Sequence, residues 1–128
     1  MISDTRFQVP MTLASAAGAA YLTVPYRCIL RDIKGTAQVA ESSIMSTASS
    51  LPLAVTELTS STTLGAVAFP LASSNIAAAA LGTYTTNAST GSTVLAAGTV
   101  IKVAAASLTS AANVLLLDIK LDPYALEL

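Results

Sequence analysis

The side chains that could do chemistry in this chain are few, and their spacing does not bring them together. Histidine is absent, which removes the commonest general base and metal ligand and every Ser-His-Asp or Cys-His nucleophile system. The one cysteine, Cys28, has Arg27 and Arg31 nearby, cations that would favour a reactive thiolate. Ile29 and Leu30 point the other way, to a small hydrophobe buried in a core, and that is the reading adopted. Asp118 and Asp122 have an even offset and share a face if their segment is a strand. Such a pair could serve glycoside hydrolysis or hold Ca²⁺; solvated charges flanking a strand end are the ordinary case. Residues 83–93, with Tyr84, Asn87 and Gly91, have the hydroxyls of an adhesive or sugar-binding loop, and equally those of a plain polar connection. Glycine-rich phosphate loops and interleaved aromatic and basic residues are missing. The expectation is a protein that is not an enzyme, with no catalytic, metal or cofactor-binding residues and no cofactor.

The elements that would position these residues are strands. The alanine content first suggests helix, but serine and threonine together number 31 and the charged residues that fill exposed helix faces are scarce. In residues 113–121, Leu115, Leu117, Ile119 and Leu121 fall on one face while Asp118 and Lys120 fall on the other, the alternation of a half-buried strand. Shorter strands are expected at 20–24, 27–33, 51–58, 64–71, 93–95 and 99–104. Ala96-Ala97-Gly98 reads as a tight turn, with Gly98 free to take a positive φ. One helix candidate, 74–81, has Ser73 or Ser74 as N-cap and Gly82 as its stop. So few helical residues cannot supply the crossovers of a parallel sheet. The fold class expected is all-β, an antiparallel β-sandwich with one short helix and an extended N-terminal arm: residues 1–12 form the arm and 13–128 a single β-sandwich domain.

Charge is what the chain most lacks. Between Glu57 and Lys102 no residue is formally charged, a run of 44 positions, and only 10% of the whole chain is charged, against ~25% in an ordinary soluble domain. A monomer of this composition would show water uncharged patches larger than is normally tolerated, so part of the surface is expected to be covered by other subunits. The six basic residues are scattered, which argues against direct nucleic-acid binding. Mean hydropathy is high at +0.68, yet the most apolar window, 64–81, is broken by Pro70, Ser73, Ser74 and Asn75, so no membrane-spanning helix is expected. Arg6 and the small residues Ala14, Ser15 and Ala16 mimic a secretory leader, but Asp4, Gln8, Pro10 and Thr12 interrupt it.

Candidate contact residues follow from these patterns. Phe7, Val9 and Met11 alternate like a strand that adds to the sheet edge of another chain, with an ordinary first strand as the alternative. Thr85 and Thr90 lie in the uncharged run. Pro123 stops the last strand, and Tyr124 and Leu126 beyond it are apolar enough to dock on something.

Several stretches carry a family resemblance: Val9-Pro10-Met11-Thr12-Leu13-Ala14-Ser15-Ala16-Ala17-Gly18 leading to Tyr21-Leu22-Thr23-Val24-Pro25, then Cys28-Ile29-Leu30, then Leu95-Ala96-Ala97-Gly98-Thr99-Val100-Ile101-Lys102-Val103 ahead of 114–121. Together they resemble the small β-sandwich decoration (cement) proteins of tailed-bacteriophage capsids. The resemblance covers most of the chain in low-complexity pieces, and the alanine-rich 72–82 departs from it. It implies a jelly-roll-like sandwich that assembles as dimers or trimers, the trimer slightly favoured, and bridges neighbouring major capsid protein subunits on the capsid exterior. The expected partners are therefore the major capsid protein and further copies of the chain, with no direct nucleic-acid or membrane contact, in a virion component made in the host cytoplasm. A phage tail, baseplate or fibre-attachment domain and a secreted carbohydrate-binding β-sandwich are the alternatives; the threonines keep no fixed period, which counts against an ice-binding surface.

Overall fold

A computed structural model describes residues 5–15, 17–38, 50–71, 75–90, 93–105 and 111–123. The strongest alternation in the sequence forms the longest strand, β9 (Ala111–Pro123), and Leu115, Leu117, Ile119 and Leu121 all point into the core as expected. On one side β9 pairs along eleven positions with β1 (Thr5–Ser15), setting Phe7 opposite Ile119, Val9 opposite Leu117 and Met11 opposite Leu115. On the other it pairs with β3 (Cys28–Ala37), whose register shifts at Arg31 between Leu30 and Asp32. That bulge turns Arg31 and Asp32 to the same outer side.

The remaining strands form a second set. β2 (Ala17–Thr23) pairs with β8 (Val100–Ala105), β8 with β4 (Ser50–Glu57), β4 with β5 (Thr62–Pro70) and β5 with β6 (Leu81–Thr86). A two-residue strand, β7 (Val94–Leu95), hangs on the start of β3. Short seams join the sets: β1 to β2 through the pairs Leu13↔Gly18 and Ala14↔Ala17, and β3 to β6 through Lys34↔Thr83, Gly35↔Gly82 and Thr36↔Leu81. Among the described residues the nine strands thus form one antiparallel sheet, and the β3–β6 pairing closes all of them but β7 into an eight-strand barrel, where the sequence reading expected a sandwich.

Inward residues of both sets share one apolar core, with Phe69, Met11, Leu13, Ile33, Leu51, Leu53, Ile101 and Leu117 among its fully buried members. The strands form because alternate positions supply these side chains, and burying each full-sized one contributes about 1.5–3 kcal/mol. At the β3–β6 seam the core is filled differently. Gly35 and Gly82 face each other there, and the ring of Phe69 lies where their side chains would be: a Cβ on Gly82 would stand 2.8 Å from the ring.

The expected turn is present: Thr99 N–H donates to Ala96 O at 3.1 Å, and Gly98 has φ 89°. The expected helix is not. Ser74 lies outside the described residues, but Asn75 and Ile76 form bridges, Ala77–Ala80 makes a turn with Ala80 N–H donating to Ala77 O, and β6 follows at once. Isolated helices this short are marginal without tertiary support, and here Ala37 N–H donates to Ala80 O while Ala79 N–H donates to Ala37 O, so the segment is claimed by β3. Of the expected N-terminal arm, residues 5–12 lie within β1 and pair with β9 of the same chain, and residues 1–4 lie outside the described residues.

Candidate functional site

The outer faces of the two strand sets differ in chemistry. On β1, β9 and β3 the outward positions hold Arg6, Asp118, Lys120, Asp122, Arg31, Asp32 and Lys34. Arg6 Nη1 donates to Asp118 Oδ2 at 3.1 Å, and Arg31 reaches Asp122 Oδ2 through Nε at 2.7 Å and Nη2 at 2.6 Å. The two carboxylates singled out in the sequence are thus each held by a separate arginine from a flanking strand, which accounts for their presence without a ligand between them.

On β2, β8, β4, β5 and β6 the outward positions are small and neutral. Cross-strand registers line up Ala19, Ala104, Ala54, Ala66 and Thr85 in a single row across all five strands, a width of about 19 Å at the usual strand spacing. A second row sets Pro52 beside Ala68 and Ala68 beside Thr83. Among the described residues the one charge facing outward on these strands is Lys102, whose ammonium sits 5.9 Å from the centre of the exposed Tyr21 ring. Short side chains keep this face free of protrusions along most of the row, and ordering them costs little entropy.

Glu57, at the end of β4, marks where the uncharged run begins, and it is buried. Its carboxylate accepts the backbone N–H of Thr59 at 2.6 Å and of Ser60 at 3.0 Å, and the Ser60 hydroxyl at 2.5 Å. The hydroxyl of Ser60, with the backbone N–H bonds, holds its pKa below the usual 4.5 against the opposing effect of burial. It is a turn-capping group for the β4–β5 connection.

Cys28 is buried as expected, and burial, with the nearby Asp122 charge, pushes its thiol up to about 11, so it is no nucleophile at neutral pH. Part of the hydroxyl tract is bound within its own loop and to β5. Asn87 Oδ1 accepts from Ser89 N, Ser89 Oγ and Thr90 N, while the Thr90 hydroxyl donates to Thr63 O and the Thr93 hydroxyl to Thr90 O.

The expected contact residues scatter. Met11 is fully buried, and Phe7 and Val9 are partly buried and pack against the core. Thr85 is exposed on the neutral face; Thr90 is half-buried and committed to its loop. Tyr124 and Leu126 lie outside the described residues. What sequence reasoning missed is the alanine and proline of the neutral face, because only cross-strand register reveals that they line up.

A groove of about 300 Å³ opens where the β3–β6 ladder ends, lined by Asp32, Lys34, Leu81, Thr83 and Tyr84 over the glycine pair. The Tyr84 hydroxyl donates to Leu64 O at 3.1 Å, and burial, reinforced by the Asp32 charge, pushes its pKa up to about 12. Among the described residues no three His, Cys, Asp or Glu side chains gather as a metal site would require. Compared with family models, curated proteins and solved structures, the chain matches none of them.

Proposed function

We propose that the protein is a structural assembly component whose working surface is the neutral outer face of β2, β8, β4, β5 and β6, and that it serves as a capsid decoration protein. The observation that carries this reading is the row Ala19, Ala104, Ala54, Ala66 and Thr85, a neutral face on a chain whose charge is concentrated on the opposite strands. A cement protein needs broad contacts repeated by symmetry rather than a pocket. The partners proposed are the major capsid protein and further copies of the chain, a trimer ahead of a dimer, on the outside of a virion. The same eight strands can be described as a jelly-roll-like sandwich if the charged and neutral sets are taken as its two facing sheets, joined at the two short seams. The carbohydrate-binding alternative loses support where Ser89, Thr90 and Thr93 of the hydroxyl tract spend their hydroxyls on Asn87 Oδ1, Thr63 O and Thr90 O.

The test pairs two exposed positions on opposite faces, Thr85→Lys and Gln8→Lys. Neither change should move monomer stability by more than about 0.5 kcal/mol. Thr85→Lys should weaken self-association in sedimentation and binding to shells of the major capsid protein encoded alongside, and Gln8→Lys should leave both intact. A wild-type monomer that ignores such shells, or equal effects of the two lysines, would overturn the proposal.

A further inference from the structure

We infer that the barrel has a built-in opening at the β3–β6 seam, where β6 swings away from β3 while remaining paired with β5, and that this happens without unfolding the rest.

The seam is weak for reasons that can be read residue by residue. Its ladder has three pairs, against eleven between β1 and β9. In the β1–β9 pairing, Met11 against Leu115 and Val9 against Leu117 interlock large side chains on the inner side. At the seam the inner pair is Gly35 and Gly82, with no side chains to interlock, and the other two pairs, Lys34 with Thr83 and Thr36 with Leu81, point outward, Leu81 being 67% exposed. The apolar groups on the inner side of the glycine pair are the Phe69 ring and the Val67 side chain, both of which belong to β5 and move with β6.

Both ends of the seam are already loosened. At one end the ladder stops at Lys34 and Thr83, the bulge at Arg31 bends β3 away, and the groove begins. At the other end the seam runs into the Ala77–Ala80 turn, where Ala79 is held at φ 63°. That conformation is strained for a residue with a Cβ. Few cross-strand contacts and a strained terminus are what a cooperative sub-global opening needs. Opening would widen the groove into a slot floored by Phe69.

Native-state hydrogen exchange on the full chain tests this. The amides of Ala37 and Ala79, which bond across the seam, should exchange faster than those of β1 and β9 by on the order of tenfold or more, with a weaker denaturant dependence. The Asn87 amide, bonded to Leu64 O on the β5 side, should stay with the slow group. A disulfide between Thr36→Cys and Leu81→Cys, formed with Cys28 replaced by Ser, should bring the seam amides to the slow rate. Should that variant not fold or not oxidise, Ala79→Gly gives the independent reading, since relieving the turn slows the same two amides. Seam amides that already exchange with β1 and β9, or an Asn87 amide that opens together with them, would overturn the inference.

Discussion

Asp118, Lys120 and Asp122 line the outward face of β9, while the same face of β5 shows Ala66, Ala68 and Pro70. Inward, the two strands obey one rule: Leu117 and Ile119 on β9 and Val67 and Phe69 on β5 are all buried to within 1%. The requirement for a core therefore explains the inner sides of both strand sets and neither outer side. On the charged set the outer side is explained locally, by arginine–aspartate pairs across neighbouring strands. On the neutral set nothing among the described residues accounts for the lack of charge, which is why a partner is proposed for that face alone.

The comparison is broken most severely if the two sets do not share a core. Leu117→Ala in β9 and Leu53→Ala in β4 should each lower unfolding free energy by about 2–5 kcal/mol in denaturant titrations, because both side chains are fully buried in the same cluster. A much smaller loss for Leu53 would mean that the neutral set is merely attached. Next comes the seam between the sets. Gly82→Ala forces a Cβ to 2.8 Å from the Phe69 ring, and overpacking of this kind costs about 1–3 kcal/mol. In a Phe69→Leu background the same added methyl should cost less, with a remainder from Val67 Cγ1, which the Cβ would meet at 2.9 Å, and a double-mutant cycle would show the difference.

A smaller effect tests the boundary of the neutral run. Glu57→Gln should cost about 1–2 kcal/mol near neutral pH, from weakened charge-assisted bonds to Thr59 and Ser60. Because the folded carboxyl is held below its unfolded value of 4.5, the contribution is complete above that pH and is lost as pH falls through the folded value. The gap between wild type and variant in thermal melts should therefore close toward acid pH. The smallest effect belongs to the charged face, where Arg31→Ala removes a part-exposed pair worth no more than ~1 kcal/mol, and the loss should shrink in high salt.

Local pattern carried only part of this architecture. The inward side of β9 was legible because Leu, Asp, Ile and Lys alternate in hydropathy, and the turn at Gly98 because glycine marks a positive φ. Residues 74–81 misled because alanine side chains are nearly alike in any environment, so a run of them hides whether the period is that of a helix or a strand. Residues 5–12 misled because their partner, β9, lies at the opposite end of the chain, where no local window reaches. The ion pairs Arg6–Asp118 and Arg31–Asp122 and the neutral row on the other face stayed hidden for the same reason. Each exists only once strands distant in sequence have chosen their register.

Closure of the sheet has a colloidal consequence. Apolar strands with little charge are the segments that most readily stack edge to edge into fibrils, and natural sequences usually guard them with lysine or proline at exposed edges. Residues 58–101 carry no such charge. In the barrel each of the eight strands has a hydrogen-bonded neighbour on both sides, over only two pairs between β1 and β2 and three between β3 and β6, so much of the backbone is withheld from other copies by geometry instead of by repulsion. The same arrangement makes the two short seams, β1–β2 and β3–β6, the places where heat, shear or a damaging substitution would first release a sticky edge.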